Sequence, residues 1–176
     1  MILNFFYIAS NLKKIPRQGW IDKLSISHPE SVADHTFSMA IMGMIFSDLE
    51  KYNTEKILKM ILLHDLAESI TGDITPDKIT NQKKMFLENN TMEKIIDDMP
   101  QSLQIQYHEL WKDYQNEKSE EAKFVHQLDK FEMALQAKIY SKDGYSDDKL
   151  RSFFDSAKNN ITHPKLVELF KKIIEE

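Results

Sequence analysis

Apolar residues recur along this chain at helical intervals. Phe37, Ala40, Ile41, Met44 and Ile45 fall three and four apart, and Ile57, Leu58, Ile61, Leu62 and Leu66 repeat the pattern. Strand-like alternation is hard to find, so helical periodicity dominates. The first helix is predicted from about Ile2 to Lys13, ending before Pro16, because proline disfavours helical backbone in the residue before it. Arg17 to Pro29 reads as a loop. Ser31 is a good N-cap for a helix through Leu49, and Asp34 three residues on makes an acidic variant of a capping box. Thr54 can cap the next helix. Gly72 and Pro76 then break the pattern, giving a turn-rich loop over Thr71 to Lys78. A polar helix from about Asn81 to Met99 stops at Pro100, and another covers Leu103 to about Tyr114. Ser119 opens a long helix to about Tyr140, Asp143-Gly144 marks a turn, and shorter helices near Asp147–Ala157 and Pro164–Ile174 close the chain.

These elements predict an all-α bundle in one domain over 1–176, without repeat, linker or low-complexity tract. The 176 residues suffice for a real core, and 41% hydrophobic with 29% charged residues is a globular composition. Charge changes the picture mainly by exclusion. The formal net charge is −5 and no basic block stands out, which argues against a protein that grips a nucleic acid polymer through its phosphates. There are no cysteines, so disulfides and thiolate metal sites are ruled out and His, Asp and Glu remain as ligands. The apolar start is short, lacks a preceding basic region and soon meets Lys13 and Lys14, so it reads as a core helix and not a signal peptide. No apolar run approaches membrane-spanning length. The expected protein is soluble, cytoplasmic and free of membrane contacts.

The candidate chemistry starts at His64 and Asp65, at the end of the apolar run Lys59-Met-Ile-Leu-Leu, with Glu68 one turn further on. On a helix Glu68 would be a neighbour of both His64 and Asp65, and one imidazole with two carboxylates suits a first-row divalent ion. A lone His or Asp near a helix end is more often a cap or a hydrogen-bonded core residue. The company of this pair tips the balance. Upstream lies Glu30-Ser-Val-Ala-Asp34-His35, and downstream Phe124-Val-His126-Gln-Leu-Asp129-Lys130-Phe-Glu132. The order His … His-Asp … Asp, each member on a separate predicted helix, resembles the metal-dependent phosphohydrolases of the HD-domain superfamily.

Further strings narrow the resemblance. His64-Asp-Leu-Ala-Glu68-Ser-Ile-Thr-Gly72-Asp73-Ile74-Thr-Pro76 is similar to the HD-domain 5′-deoxynucleotidases, and Pro16-Arg17-Gln-Gly19-Trp20, Pro29-Glu30-Ser31, Glu109-Leu-Trp111, Phe153-Phe154 and His163-Pro164 match along nearly the whole chain. The resemblance implies His35, His64, Asp65 and Asp129 as ligands of one divalent ion, and a catalytic or second-metal role for Glu68 and Asp73, with the Ile74 carbonyl. It implies Arg17 and Trp20 in the nucleotide pocket, a bundle with its metal site between helices, and a homodimer. The ion could be Co²⁺, Mn²⁺, Mg²⁺ or Zn²⁺, since His/Asp sites accept several. On the residues alone, Glu68 could instead be a solvated helix carboxylate, Asp73 a turn residue and Trp20 a core anchor.

There are departures. Lys23 stands where the family often has Arg, and Asn81, Gln82, Met85, Phe86 and Asn89 replace a more charged run, although Lys84, Glu88 and Met92 keep its spacing. His28, His108, His126 and His163 read as hydrogen-bonded or surface histidines, and Lys130 as a helix-surface lysine. The leading expectation is a metal-dependent hydrolase of deoxyribonucleoside 5′-monophosphates. The alternatives are an HD phosphohydrolase for another nucleotide, such as a cyclic nucleotide or an alarmone, and a non-catalytic helical protein that binds metal or nucleotide.

Overall fold

The computed structural model describes residues 2–175; Met1 and Glu176, the ends of the domain expected over 1–176, lie outside the described residues. Helix α1 (Ile2–Asn11) tightens into a 3₁₀ turn, Leu12–Lys14, before Pro16. The chain then crosses the start of the second long helix. Val32 N donates to Ile15 O at 2.9 Å and Arg17 N to Glu30 O at 3.0 Å, around an isolated antiparallel bridge between Pro16 and Ser31. This short pairing sets Arg17 beside the helix that carries His35.

The segment expected as a loop over Arg17 to Pro29 contains helix α2 (Gln18–Leu24), which ends at Ser25 in the left-handed region with φ 57°. No side chain caps its start, and Gly19 weakens the local helical signal. Tertiary contact holds it instead. Trp20 and Leu24 pack with Ala137, Tyr140 and Leu150 in a second core cluster.

Helix α3 (Val32–Glu50) has the expected capping box. Asp34 N donates to Ser31 Oγ at 3.1 Å, and Ser31 N donates to Asp34 Oδ2 at 2.9 Å. Its buried face is not the expected one. Val32, His35, Met39, Gly43 and Phe46 turn inward, whereas Phe37, Ile41, Met44 and Ile45 are exposed. The helix is apolar on both faces, so periodicity alone could not choose. Gly43 decides it: a Cβ there would lie 2.4 Å from Ile61 Cδ1 and 3.0 Å from Ile57 Cγ2, so α3 closes onto α4 at this residue.

Helix α4 (Thr54–His64) is capped by Asn53, which accepts from Lys56 N at 3.1 Å, rather than by Thr54. Ile57, Ile61 and Leu66 are buried, but Leu62 is exposed. The helix ends at His64, Asp65 leaves helical geometry with φ −108° and ψ 12°, and Glu68 opens the short α5 (Glu68–Thr71). His64, Asp65 and Glu68 thus do not share one continuous helix.

Helices α6 (Asn81–Asp97), α7 (Gln101–Gln115), α8 (Glu120–Lys142), α9 (Asp147–Asn160) and α10 (Pro164–Glu175) follow. Ser119 caps α8 as expected, accepting from Ala122 N at 3.2 Å. Helix α7 starts directly after Pro100, earlier than expected. No strand occurs among the described residues, so the fold is all-α. Helix α8 is the spine: it packs on α3, α4, α7, α9 and α10. Its buried Phe124, Val125 and Leu128 join Ile57, Ile61 and Met39 in the main core. Full burial of each such side chain stabilises by roughly 1.5–3 kcal/mol. Among the described residues no helix is long and apolar enough to cross a membrane.

Candidate metal centre

Three core helices bring the first ligand candidates together. His35 lies one turn into α3, His64 ends α4, and Asp129 sits mid-α8. Each offers a donor atom, and these atoms lie within 4.8 Å of one another. Asp65 joins them, with Oδ2 at 3.0 Å from His64 Nε2 and 3.9 Å from His35 Nε2. His35 Nε2 is also 3.3 Å from Asp129 Oδ1.

The outward nitrogens of both rings are already used. His35 Nδ1 donates to Glu132 Oε2 at 2.5 Å, and His64 Nδ1 donates to the Ile61 carbonyl at 2.6 Å. In the neutral ring, a proton held on Nδ1 leaves Nε2 unprotonated, the form that ligates metal. Both Nε2 atoms are buried and, despite the nearby carboxylates, neither makes a hydrogen bond. Buried polar atoms are rarely left so. Two orphaned imidazole nitrogens facing two carboxylates are a donor set that fits a divalent ion.

Glu30, His35 and Glu132 form a second close group. It is a supporting layer, because the His35 atom in it is committed to Glu132, and Glu30 Oε1 accepts from Trp20 Nε1 at 2.8 Å. Burial and the neighbouring Glu132 charge push the Glu30 carboxyl up to about 7.

Electrostatics divides the carboxylates. At Asp65, burial works toward the neutral form, but His64 and then Arg17 outweigh it and hold the pKa well below the usual range. At Asp129, burial is likewise overcome, by Lys130, His35 and Arg17. His35 is held down by burial and Arg17, yet Asp129 and Glu132 carry it up to about 9. Glu68 goes the other way. Burial, with the charges of Asp65 and Asp73, pushes it well above the usual value. It is 2% exposed, its Oε1 is 3.4 Å from Lys84 Nζ, and its Oε2 has no hydrogen-bond partner.

Above these residues opens a cavity of about 290 Å³. Asp65, Glu68, Asp73 and Asp129 line it, with the cations Arg17, Lys84 and Lys130. Arg17 Nη1 is 3.4 Å from Asp65 Oδ2 and Nη2 is 4.0 Å from Asp129 Oδ1. Burial disfavours its charge, but Asp65, Asp129, Asp73 and Glu68 together raise its pKa. Asp73 Oδ2 accepts from Gln18 N at 2.8 Å and so tethers the start of α2. Ile74 is in the same wall. Trp20 lines it too but is only 1% exposed, with its ring 4.1 Å from Phe153 and 5.1 Å from Tyr140 between centroids.

Some of the surroundings were not legible beforehand. Glu132 received no role, although it stands three residues after Asp129 on the same helix. Lys130, read as a helix-surface lysine, lines the cavity with Nζ 2.8 Å from Asp129 Oδ2. Lys84 kept the family spacing and is the cation nearest Glu68. Lys23 is exposed and outside the cavity wall. His126 is structural: it donates from Nε2 to the Tyr114 carbonyl at 2.9 Å and stacks on that ring at 4.2 Å.

A helical bundle with His35, His64, Asp65 and Asp129 drawn from three helices and a helix end is the architecture of a metal-binding hydrolase class, and comparison places it. The HD-domain family model matches residues 9–169. The chain belongs to the HD-domain family. It is 38% identical over 173 residues to the 5′-deoxynucleotidase HDDC2 of Mus musculus, covering 98% of this chain and 86% of the relative. It is 41% identical over 182 residues to the 5′-deoxynucleotidase HDDC2 of Dictyostelium discoideum, covering 97% and 93%. Among solved structures, a conserved hypothetical protein from Pyrococcus furiosus superposes with a TM-score of 0.77 at 26% identity over 99% of both chains. A protein from Pyrococcus horikoshii OT3 gives 0.76 at 30% identity over 97% of both.

Proposed function

We propose that the chain is a metal-dependent 5′-deoxynucleotidase: a deoxyribonucleoside 5′-monophosphate plus water gives deoxynucleoside plus phosphate. The observation that carries this reading is the pair of buried, unbonded Nε2 atoms of His35 and His64 facing Asp65 and Asp129 beside a cation-lined cavity. The relatives named 5′-deoxynucleotidase, at 38% and 41% identity over nearly the whole chain, support the substrate class. The cavity is at the small end of ligand pockets, roughly 300 Å³ upward, which suits a mononucleotide and no polymer.

His35, His64, Asp65 and Asp129 would hold one divalent ion, with Co²⁺, Mn²⁺, Mg²⁺ and Zn²⁺ all compatible with the donors. When bound, such an ion neutralises phosphoryl charge and acidifies nearby water. Arg17 and Lys130 take phosphate oxygens. Arg17 lies loosely across two carboxylates, at 3.4 and 4.0 Å, so its planar fork can turn to a phosphate that it matches better. Glu68 receives a proton from the attacking water at Oε2, the oxygen without a partner. A carboxyl pushed up by burial is suited to proton transfer near neutral pH. Asp73 holds the first amide of α2 and thereby fixes Arg17 and Trp20, and Trp20 braces the wall through Phe153. Glu68, Asp73 and the Ile74 carbonyl are the groups a second ion would use.

We take the unit of function to be one catalytic domain over 1–176 that works in the cytoplasm, a reading with which the absence of cysteine is compatible. It acts as a homodimer: the exposed stripe Phe37, Ile41, Met44 and Ile45 on α3 is an apolar face of the kind a second copy covers. Light scattering tests the dimer, with Phe37→Asp expected to give a folded monomer. The activity is tested by Asp65→Ala, which should lose phosphate release from deoxynucleoside monophosphates and bind divalent ions more weakly in calorimetry while keeping its helical circular dichroism. Full turnover in Asp65→Ala contradicts the assignment.

A further inference from the structure

The segment 72–80 joins α5 to α6 and supplies Asp73, Ile74, Thr75 and Pro76 to the cavity wall. It leaves α5 at Gly72, whose φ of 75° lies in the left-handed region that favours glycine. Among the described residues its backbone bonds to itself once, Lys78 N donating to Thr75 O at 3.0 Å. The segment contributes no residue to either core cluster. With so little bonding of its own, it takes its position from what it touches.

What it touches is α2, and Asp22 on that helix is the main point of contact. Asp22 Oδ2 accepts from Lys78 Nζ at 2.8 Å and from Thr75 Oγ1 at 3.3 Å, and Oδ1 accepts from Gln18 Nε2 at 2.7 Å. Thr75 is buried, so Asp22 takes the place of water at its hydroxyl. Lys78 first, and then Gln18, hold the Asp22 carboxyl below its ordinary range. In the opposite direction Asp73 Oδ2 accepts from Gln18 N at 2.8 Å. Gln18 therefore joins both carboxylates, Asp73 by its backbone and Asp22 by its side chain. Helix α2 is also anchored in the core by Trp20 and Leu24, whereas the segment has no such anchor. The contact thus places the segment on the helix. Asp22 does not itself line the cavity.

We infer that Asp22 is a positioning residue for substrate binding: it latches the segment 72–80 onto α2 and so holds one wall of the cavity in place through Thr75 and Lys78. The inference rests on the nucleotidase reading and adds a residue that meets neither ion nor substrate. Without the latch the wall is tied to α2 by Asp73 alone. Ordering a loosened wall around the nucleotide then subtracts from its binding. Glu68 and the His35, His64, Asp65 and Asp129 cluster are untouched by this change, so the loss falls on KM and leaves kcat nearly as it was.

The test compares wild type, Asp22→Ala, Asp22→Lys and the charge-swapped pair Asp22→Lys with Lys78→Asp. Phosphate release from deoxynucleoside 5′-monophosphates gives KM and kcat separately. Trypsin, added under native conditions to wild type and Asp22→Ala, gives the rate of cutting after Lys78, a readout that needs no turnover. Asp22→Ala should raise KM by about fivefold, the scale of one net hydrogen bond, with kcat nearly unchanged. Its cut after Lys78 should be faster than in wild type. Asp22→Lys should raise KM further, and the swapped pair should recover most of that loss. An unchanged KM and an unchanged cutting rate in folded Asp22→Ala, with wild type active, overturn the latch and leave the nucleotidase reading standing. So does a swapped pair no better than Asp22→Lys alone. A wild type that releases no phosphate from any deoxynucleotide overturns both.

Discussion

Glu132 accepts the Nδ1 proton of His35 at 2.5 Å in the buried centre of the bundle, and this contact aims the His35 Nε2 at Asp129. A carboxylate behind a ligating histidine fixes its tautomer and raises its basicity. Glu132→Gln should therefore weaken divalent-ion affinity by about 10–100-fold while the fold persists. Calorimetric titration of metal-stripped protein measures it, and an affinity equal to wild type would remove Glu132 from the site.

Lys84 is the cation that faces Glu68, with Nζ 3.4 Å from Oε1, and it also reaches Glu88 Oε1 at 3.5 Å. Without it, a buried carboxyl would face Asp65 and Asp73 with no counter-charge from α6. Lys84→Met should lower kcat by about tenfold or more, in the range of general acid–base contributions, with little change in KM. Lys84→Arg should recover part of the loss. Equal losses in both variants would mean that the lysine acts only through packing.

Gly43 marks the contact of α3 with α4. Gly43→Val should destabilise by about 2 kcal/mol or more, because added carbons must displace the buried Ile57 and Ile61. Phe37→Asp, on the opposite face, should cost the monomer little. Urea melts of the two variants decide this, and a reversed order would restore the face that periodicity first suggested.

Lys56 ties α4 to α7 and α8, with Nζ 2.8 Å from Asp113 Oδ2 and 3.2 Å from Glu121 Oε2. At both carboxyls burial opposes ionisation, but hydrogen bonds to Lys56 and to backbone or Ser119 groups win, and both pKa values are lowered from 3.8 and 4.5. A lowered folded pKa gives stability that is present above the unfolded pKa and is lost as pH falls through the folded one. Lys56→Met should thus be less stable than wild type by about 1 kcal/mol at pH 7, the scale of a partly exposed ion pair. The gap should close as pH falls below about 4. Parallel thermal melts across that range test it.

Much of this was legible in the sequence, for identifiable reasons. Ser31 with Asp34 and Ser119 mark helix starts because their side chains satisfy specific amides, and the structure has those bonds. The order His35, then the adjacent pair His64 and Asp65, then Asp129 pointed to one site because the three members fall on three separate predicted helices in the order of the HD-domain proteins. Three features were not legible. Helix α2 owes its existence to Trp20 packing on Phe153 and Tyr140, a contact more than a hundred residues distant. The buried face of α3 depends on Gly43, which apolar periodicity ignores. Glu68 reaches the site after a break at Asp65, so the spacing suggested the right neighbour through the wrong geometry.

The central claim is metal-dependent hydrolysis of deoxynucleotides at this cluster. Its most direct test is phosphate release by metal-stripped protein given each deoxyribonucleoside and ribonucleoside 5′-monophosphate, with Co²⁺, Mn²⁺, Mg²⁺ or Zn²⁺ restored singly. The account predicts no release without an ion, and release favouring the deoxy series once a suitable ion is added. Release that persists in the stripped protein, or none with any ion and any monophosphate, would contradict it.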